Sequence, residues 1–250
     1  MRAPPIWILA LGALGATTTP PAAINTTPVA VAQPSIVPGD EWVYRISTER
    51  GAKFSEETTD EVIKRVSATT MLISVAPLGF DTTPREFLVG RDWTRFRNVN
   101  GSDTVVNHVV DFPLSVGKHW DVEYSEDNPS PSNSHEWRRL TYTVTGWETV
   151  ETPAGKFQTL KIEAEGSWKA TTRPRAVAAG AAQPGAADSS ARTIAAQNIV
   201  GRLYQVFWFA PAVKRWVKSD EEIYNPSSIR SERVEAVLQS FKPGTAHPGD

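Results

Sequence analysis

The sequence predicts an all-β protein built on antiparallel sheet, and three observations carry that prediction. Apolar and polar residues alternate with period two along most of the chain beyond residue 32. Turn-forming Pro, Gly and Asn punctuate the alternating runs, and the few helical competitors are weak. On a strand, side chains two apart share a face, so each run buries one side and wets the other.

The chain opens with Arg2 and an apolar run from Ile6 to Ala16, which is shorter than the roughly twenty residues a membrane-spanning helix needs. Ala30-Val31-Ala32 places small side chains at the −3 and −1 positions of a peptidase site. Residues 1–32 therefore read as a signal peptide, with cleavage after Ala32 and earlier cuts after Gly15 or Ala23 as alternatives. Residues 33–38 read as a linker, 39–242 as the β domain and 243–250 as a flexible tail.

Within the domain, Trp42, Tyr44 and Ile46 alternate with Val43, Arg45 and Ser47. Residues 139–144, 160–168 and 233–239 repeat the pattern. Residues 55–66 and 231–241 carry enough charge to be helices. The first is rich in β-branched Thr, Val and Ile, and the second alternates, so both are assigned to strand. Pro38-Gly39-Asp40, Asn100-Gly101, Val116-Gly117-Lys118 and Pro153-Ala154-Gly155 are the turn signals. Residues 125–135 read as a polar loop. Residues 170–197, an Ala/Pro/Gly/Ser stretch, read as a long disordered insert in one hairpin. Gly39-Asp40-Glu41-Trp42 and Gly117-Lys118-His119-Trp120 form a faint internal echo, each opening a strand.

Composition narrows the function classes. The 250 residues are 40% apolar with a net charge of −2, and no Lys/Arg run suits a phosphate backbone, so nucleic acid is not an expected partner. The absence of cysteine removes disulfides, thiolate metal sites, cysteine nucleophiles and a lipidated cysteine. The expected location is periplasmic or secreted, without an acyl anchor and without a membrane span after leader cleavage.

Catalytic signatures are missing. No Gly-x-Ser-x-Gly elbow, phosphate-binding glycine loop or His-Glu-x-x-His helix occurs, and no cofactor is expected. His119, Asp121 and Glu123 would share one strand face, where imidazole and carboxylates could hold a divalent metal. Trp120, Val122 and Tyr124 between them would then be the buried side, leaving the charged trio in water. His108, near Asp111, reads as a hydrogen-bonded, partly buried histidine. The aromatic surplus is more suggestive. Tyr204, Phe207 and Trp208, with Trp147 and Trp168 from neighbouring segments, could line a concave pocket for an apolar or sugar ligand, with core packing as the plainer explanation.

Three ordered motifs resemble a family of bacterial exported proteins of unknown function. They are Phe112-Pro113-Leu114-Ser115-Val116-Gly117-Lys118-His119-Trp120, then Thr152-Pro153-Ala154-Gly155-Lys156-Phe157, then Trp208-Phe209-Ala210-Pro211-Ala212-Val213. The resemblance implies an envelope-associated protein with a single strongly curved antiparallel sheet, a half-barrel or open barrel-like sandwich. It brings no catalytic residues. The resulting expectation is an exported, non-enzymatic protein that binds an apolar or envelope-derived ligand, a lipid or a glycan. A structural or assembly factor offering an edge strand to a protein partner is the alternative. A metal-assisted hydrolase using His119, Asp121 and Glu123 is a further one.

Overall fold

A computed structural model describes residues 30–177 and 192–245. Six strands come first: β1 (Glu41–Arg50), β2 (Lys53–Val66), β3 (Thr70–Pro77), β4 (Arg85–Gly90), β5 (Arg95–Val99) and β6 (Ser102–Asn107). Next are β7 (His119–Asp127), β8 (Asn133–Thr152) and β9 (Gly155–Thr172), with the short pair β10 (Arg175–Val177) and β11 (Arg192–Ile194). The chain closes with β12 (Asn198–Ala210), a single 3-10 turn (Pro211–Val213), β13 (Arg215–Tyr224) and β14 (Arg230–Lys242).

Twelve strands form one antiparallel sheet in the order β6-β5-β4-β3-β2-β1-β14-β13-β12-β9-β8-β7. The sheet curls into a nearly closed barrel with one unsealed seam. Almost every strand pairs with its sequence neighbour, as alternating runs joined by tight turns require. The long-range closure is the ladder of β1 with β14, from Glu41 opposite Lys242 to Arg50 opposite Glu232. The seam falls between β6 and β7, consecutive strands at opposite edges of the sheet.

Both contested segments are strands. β2 holds residues 55–66 and β14 holds residues 231–241. The polar loop at 125–135 is shorter than expected, because β7 runs on to Asp127 and β8 starts at Asn133. Of the stretch 170–197, Ala170–Thr172 continues β9, and β10 pairs with β11. Residues 178–191 lie outside the described residues, as does the leader through residue 29. Two-strand pairing here needs only backbone groups, so a composition poor in large apolar residues does not prevent it.

Inward alternation builds the core. Trp42, Tyr44, Ile63, Met71, Tyr142, Ile162, Phe207 and Leu238 are all at most 2% exposed. All three motifs of the resemblance contribute to this core: Leu114, Phe209, Ala210 and Val213 are buried in it, and Phe112, Ala154 and Phe157 pack against it. Phe112 meets Phe209 edge-on at 5.5 Å, and Leu114 is fully buried. Pro153-Ala154 is the turn between β8 and β9, with Gly155 at φ +133°, where a β-branched side chain would be strained. Both members of the internal echo open strands, and both tryptophans donate from Nε1 to a backbone carbonyl: Trp42 to Val213 and Trp120 to His108, each at 2.8 Å.

Residues 30–38 run against the barrel. Val31 and Leu114 exchange both backbone hydrogen bonds, at 2.7 and 2.9 Å, and Ile36 is 3% exposed. Asp40, wholly buried, accepts from Lys214 Nζ at 2.9 and 2.8 Å, from the Val37 amide and from the Gly244 amide. One carboxylate thus ties the N-terminal strap, the β12–β13 turn and the end of β14 together.

Candidate functional site

The barrel interior is not filled by its core. Two adjoining cavities, of about 480 and 280 Å³, lie inside the curved sheet and share wall residues Arg95, Asn107 and Glu221. The smaller is walled on one side by Ile73, Phe87, Val89, Trp93, Phe207 and Trp216. The larger is ringed by charge and lies against β6 and β7, directly under the seam.

The aromatic chamber contains a buried cation. The Arg215 guanidinium carbon lies 4.3 Å from the Trp93 ring centre and 4.5 Å from that of Trp216, with Tyr44 and Trp42 at 5.1 and 5.6 Å. Arg215 Nη1 donates to Glu61 Oε2 at 2.6 Å, while its buried Nε has no partner. A desolvated guanidinium over aromatic faces gains about 2 kcal/mol or more. The pair with Glu61 keeps the charge from being stranded away from water.

The charged chamber arises where the alternation carries charge on the inward side. On β5, Arg95 and Arg97 line the mouth of the chamber and stay exposed there, with Phe96 between them on the other face, 48% exposed. On β8, Glu136 and Arg138 turn in, and the indole of Trp137 lies outside, donating to Glu123 at 2.8 Å. Most of these charges are paired. Arg97 meets Glu126 at 2.5 Å, Arg138 meets Glu136, Arg230 meets Glu222 at 2.8 Å, and Arg50 meets Glu232 at 2.7 Å.

Glu221 and Arg95 differ from that set. Glu221 accepts from Gln205 Nε2 at 2.8 Å, and Tyr142 donates to Gln205 Oε1 at 3.1 Å, which fixes the amide's orientation. Burial raises the Glu221 carboxyl above the usual glutamate range, and the Arg95 charge pulls it partway back. Among the described residues neither group has an ion-pair partner within 4.0 Å.

The seam above this chamber is held by side chains. Arg97 reaches Glu126 across it. Asn100, in the β5–β6 turn, donates from Nδ2 to the Ser125 carbonyl at 3.2 Å and accepts from the Asp127 amide at 2.9 Å. Deeper in, His108 Nε2 lies 3.2 Å from Asp92 Oδ2. Burial works to raise the Asp92 pKa, but hydrogen bonds from His108 and Thr94 outweigh it and hold the carboxyl well below the usual range. Asp111 pairs with Lys118 at 3.0 Å rather than with His108.

The five aromatic residues singled out in the sequence do not converge. Phe207 faces the aromatic chamber, whereas Tyr204 and Trp208 alternate with it on the outer face of β12. Trp208 donates to Glu148 at 2.9 Å, under the Lys218 ammonium. Trp168 shares the inward face but is paired with Gly201, six residues along β12 from Phe207. Gly201 is required there, because a Cβ would stand 2.4 Å from the Trp168 indole nitrogen. Trp147 is 47% exposed. Residues 204–209 carry large side chains on both strand faces, one face turned into the barrel and the other outside it.

His119, Asp121 and Glu123 lie on the outer face of β7, alternating with Trp120, Val122 and Tyr124. Asp121 accepts from Thr141 at 2.6 Å and from Arg139 at 2.8 Å, and Glu123 accepts from Trp137. Among the described residues no group of three His, Asp or Glu side chains is placed to hold a metal ion.

No family model and no curated protein matches the chain. Among solved structures, a candidate lipoprotein of Parabacteroides distasonis is 14% identical, with a TM-score of 0.45 over 86% of this chain and all of that one. A candidate exported protein with YmcC-like fold from Bacteroides fragilis is 17% identical, with a TM-score of 0.37 over 86% and 100% of the two chains. The hypothetical lipoprotein YmcC of Escherichia coli is 13% identical, with a TM-score of 0.34 over 82% and 86%. All three scores lie below 0.5, so the likeness carries no functional argument.

Proposed function

We propose that this is an exported, non-enzymatic protein of the bacterial envelope that holds a small ligand inside its barrel. The observation that carries the reading is the pair of adjoining cavities, of about 480 and 280 Å³, that share wall residues in a sheet whose other inward positions are buried. Ligand sites are typically concave, apolar over most of their wall, and supplied with a few convergent polar groups. Here the apolar wall and the polar groups meet at Arg95, Asn107 and Glu221. The site-like region is the barrel interior rather than the outer aromatic residues, which favours a ligand with both apolar and polar parts. The leader pattern of residues 1–32 supports export, and the 250 residues contain no cysteine to carry an acyl anchor.

Native mass spectrometry of the protein, expressed with its leader and purified from the envelope and periplasmic fractions of its host, tests this reading. The expected result is a small-molecule adduct released on denaturation. An apo mass alone, together with tryptophan emission unmoved by lipids, fatty acids, glycans or amino acids, would contradict it. Action through protein contacts has one observation in its favour: β6 and β7 both present unpaired edges. Those edges face each other, however, and are bridged by Arg97 and Asn100.

A further inference from the structure

We infer that the interior site takes a small zwitterion, an acid and an amine on one short frame with an apolar side group, and that Arg95 and Glu221 read its two charges. This rests on the binding reading above and adds the chemical class of the ligand.

The argument starts from what is already paired. Around the charged chamber, the carboxylates of Glu126, Glu136, Glu222 and Glu232 each have an arginine partner. Arg215, in the aromatic chamber, has Glu61. That leaves one cation and one carboxyl, Arg95 at the solvent-exposed mouth and Glu221 deeper in, both lining both cavities. They are near enough for the arginine to act on the carboxyl's ionisation, yet they form no ion pair with each other. A gap between opposite charges facing one cavity is complementary to a ligand carrying the reversed pair. A simple cation would use only Glu221 and a simple anion only Arg95, whereas a zwitterion engages both.

The neighbouring walls orient such a ligand. Arg215 already occupies the ring faces of Trp93 and Trp216, so a ligand ammonium has no open aromatic cage and is directed to Glu221. Gln205 holds one Glu221 oxygen, and the other has no hydrogen bond among the described residues. The apolar side group then lies along Phe207, Val89 and Ile73 in the smaller chamber, whose 280 Å³ suits one aromatic or branched group rather than two acyl chains.

Calorimetric titration of the purified full chain tests this inference, with tryptophan emission as a second readout. L-phenylalanine is compared with its amide, which lacks the carboxylate, and with its N-acetyl derivative, which lacks the ammonium. A short-chain lysophosphatidylethanolamine separates a lipid headgroup from an amino acid as the source of the zwitterion. At least one zwitterion is expected to bind roughly tenfold or more tightly than either singly charged analogue, the worth of one charge-assisted hydrogen bond. E221Q should abolish the preference over the N-acetyl form, and R95Q the preference over the amide. Both variants are checked for an unchanged far-ultraviolet spectrum. Equal binding of all analogues would overturn the zwitterion while leaving an interior ligand site standing. No binding of either zwitterion, with an adduct still present in the native mass spectrum, would overturn it in the same way. Absence of both binding and adduct would remove the two readings together.

Discussion

Two residues carry opposite kinds of stability argument. Asp40 is a buried carboxylate whose four hydrogen bonds hold three chain segments. Asp40→Asn leaves the Lys214 ammonium without its counter-charge, and breaking a partly buried pair on one side costs about 3 kcal/mol. Urea unfolding should show that loss as a lower midpoint with an unchanged slope. Glu221 works the other way. Its folded-state pKa is raised, so the native chain holds the proton more tightly than the unfolded chain does. Stability from that proton is complete below the unfolded carboxyl pKa and is lost as pH rises toward the folded value. Glu221→Gln should therefore raise the melting temperature at neutral pH, with the gain shrinking toward pH 4, as differential scanning calorimetry across that range would show. A group kept at a cost to stability is what a binding site predicts and what a packing role does not.

At the level of elements, the N-terminal strap and the seam make separate predictions. Cleavage after Ala32 would remove Val31, whose amide and carbonyl pair with Leu114. A chain starting at Gln33 should melt lower than one starting at Pro28, and the mature N-terminus, read by intact mass, should lie before Val31. The seam is held at Asn100, outside both cavities. Asn100→Gly, which keeps the positive φ of 52° while removing the bridging amide, should speed amide exchange in β6 and β7 and leave the global unfolding midpoint nearly unchanged, because local opening and global unfolding are distinct events. The strands themselves were largely legible in the sequence. Trp42-Val43-Tyr44 and Leu140-Thr141-Tyr142 state their inward sides directly, and Pro153-Ala154-Gly155 states its turn. The strap was not legible, because an isolated bridge has no periodicity to announce it. Nor was the stem of the 170–197 insert, where pairing rests on backbone rather than on side-chain pattern.

For the whole molecule, the site was the least legible feature, and the reason lies in the barrel itself. Alternation reveals which residues share a face, and a charged face is ordinarily a wet outer one. A roomy interior breaks that equation. Arg95-Phe96-Arg97 reads as one buried aromatic between two exposed charges, yet the charges line the chamber's mouth, still exposed, and the ring faces away from it. Glu136-Trp137-Arg138 inverts in the same way. An aromatic flanked by opposed or paired charges on successive strands was the available signal, but it gains meaning only once the sheet closes. The aromatic residues of β12 show the same limit: the sequence groups Tyr204, Phe207 and Trp208, but nothing in one strand says which side of it faces a partner.

The central claim is that the interior space is a chamber kept open for a ligand rather than loosely packed core. Filling it tests that claim most directly. Val106, on edge strand β6, lines the charged chamber and is only partly buried. Val106→Phe should keep or raise the melting temperature, because the added ring enters empty space, and should eliminate the small-molecule adduct of the native protein. An adduct that persists at full occupancy, or a fold that collapses for want of room, would contradict the account.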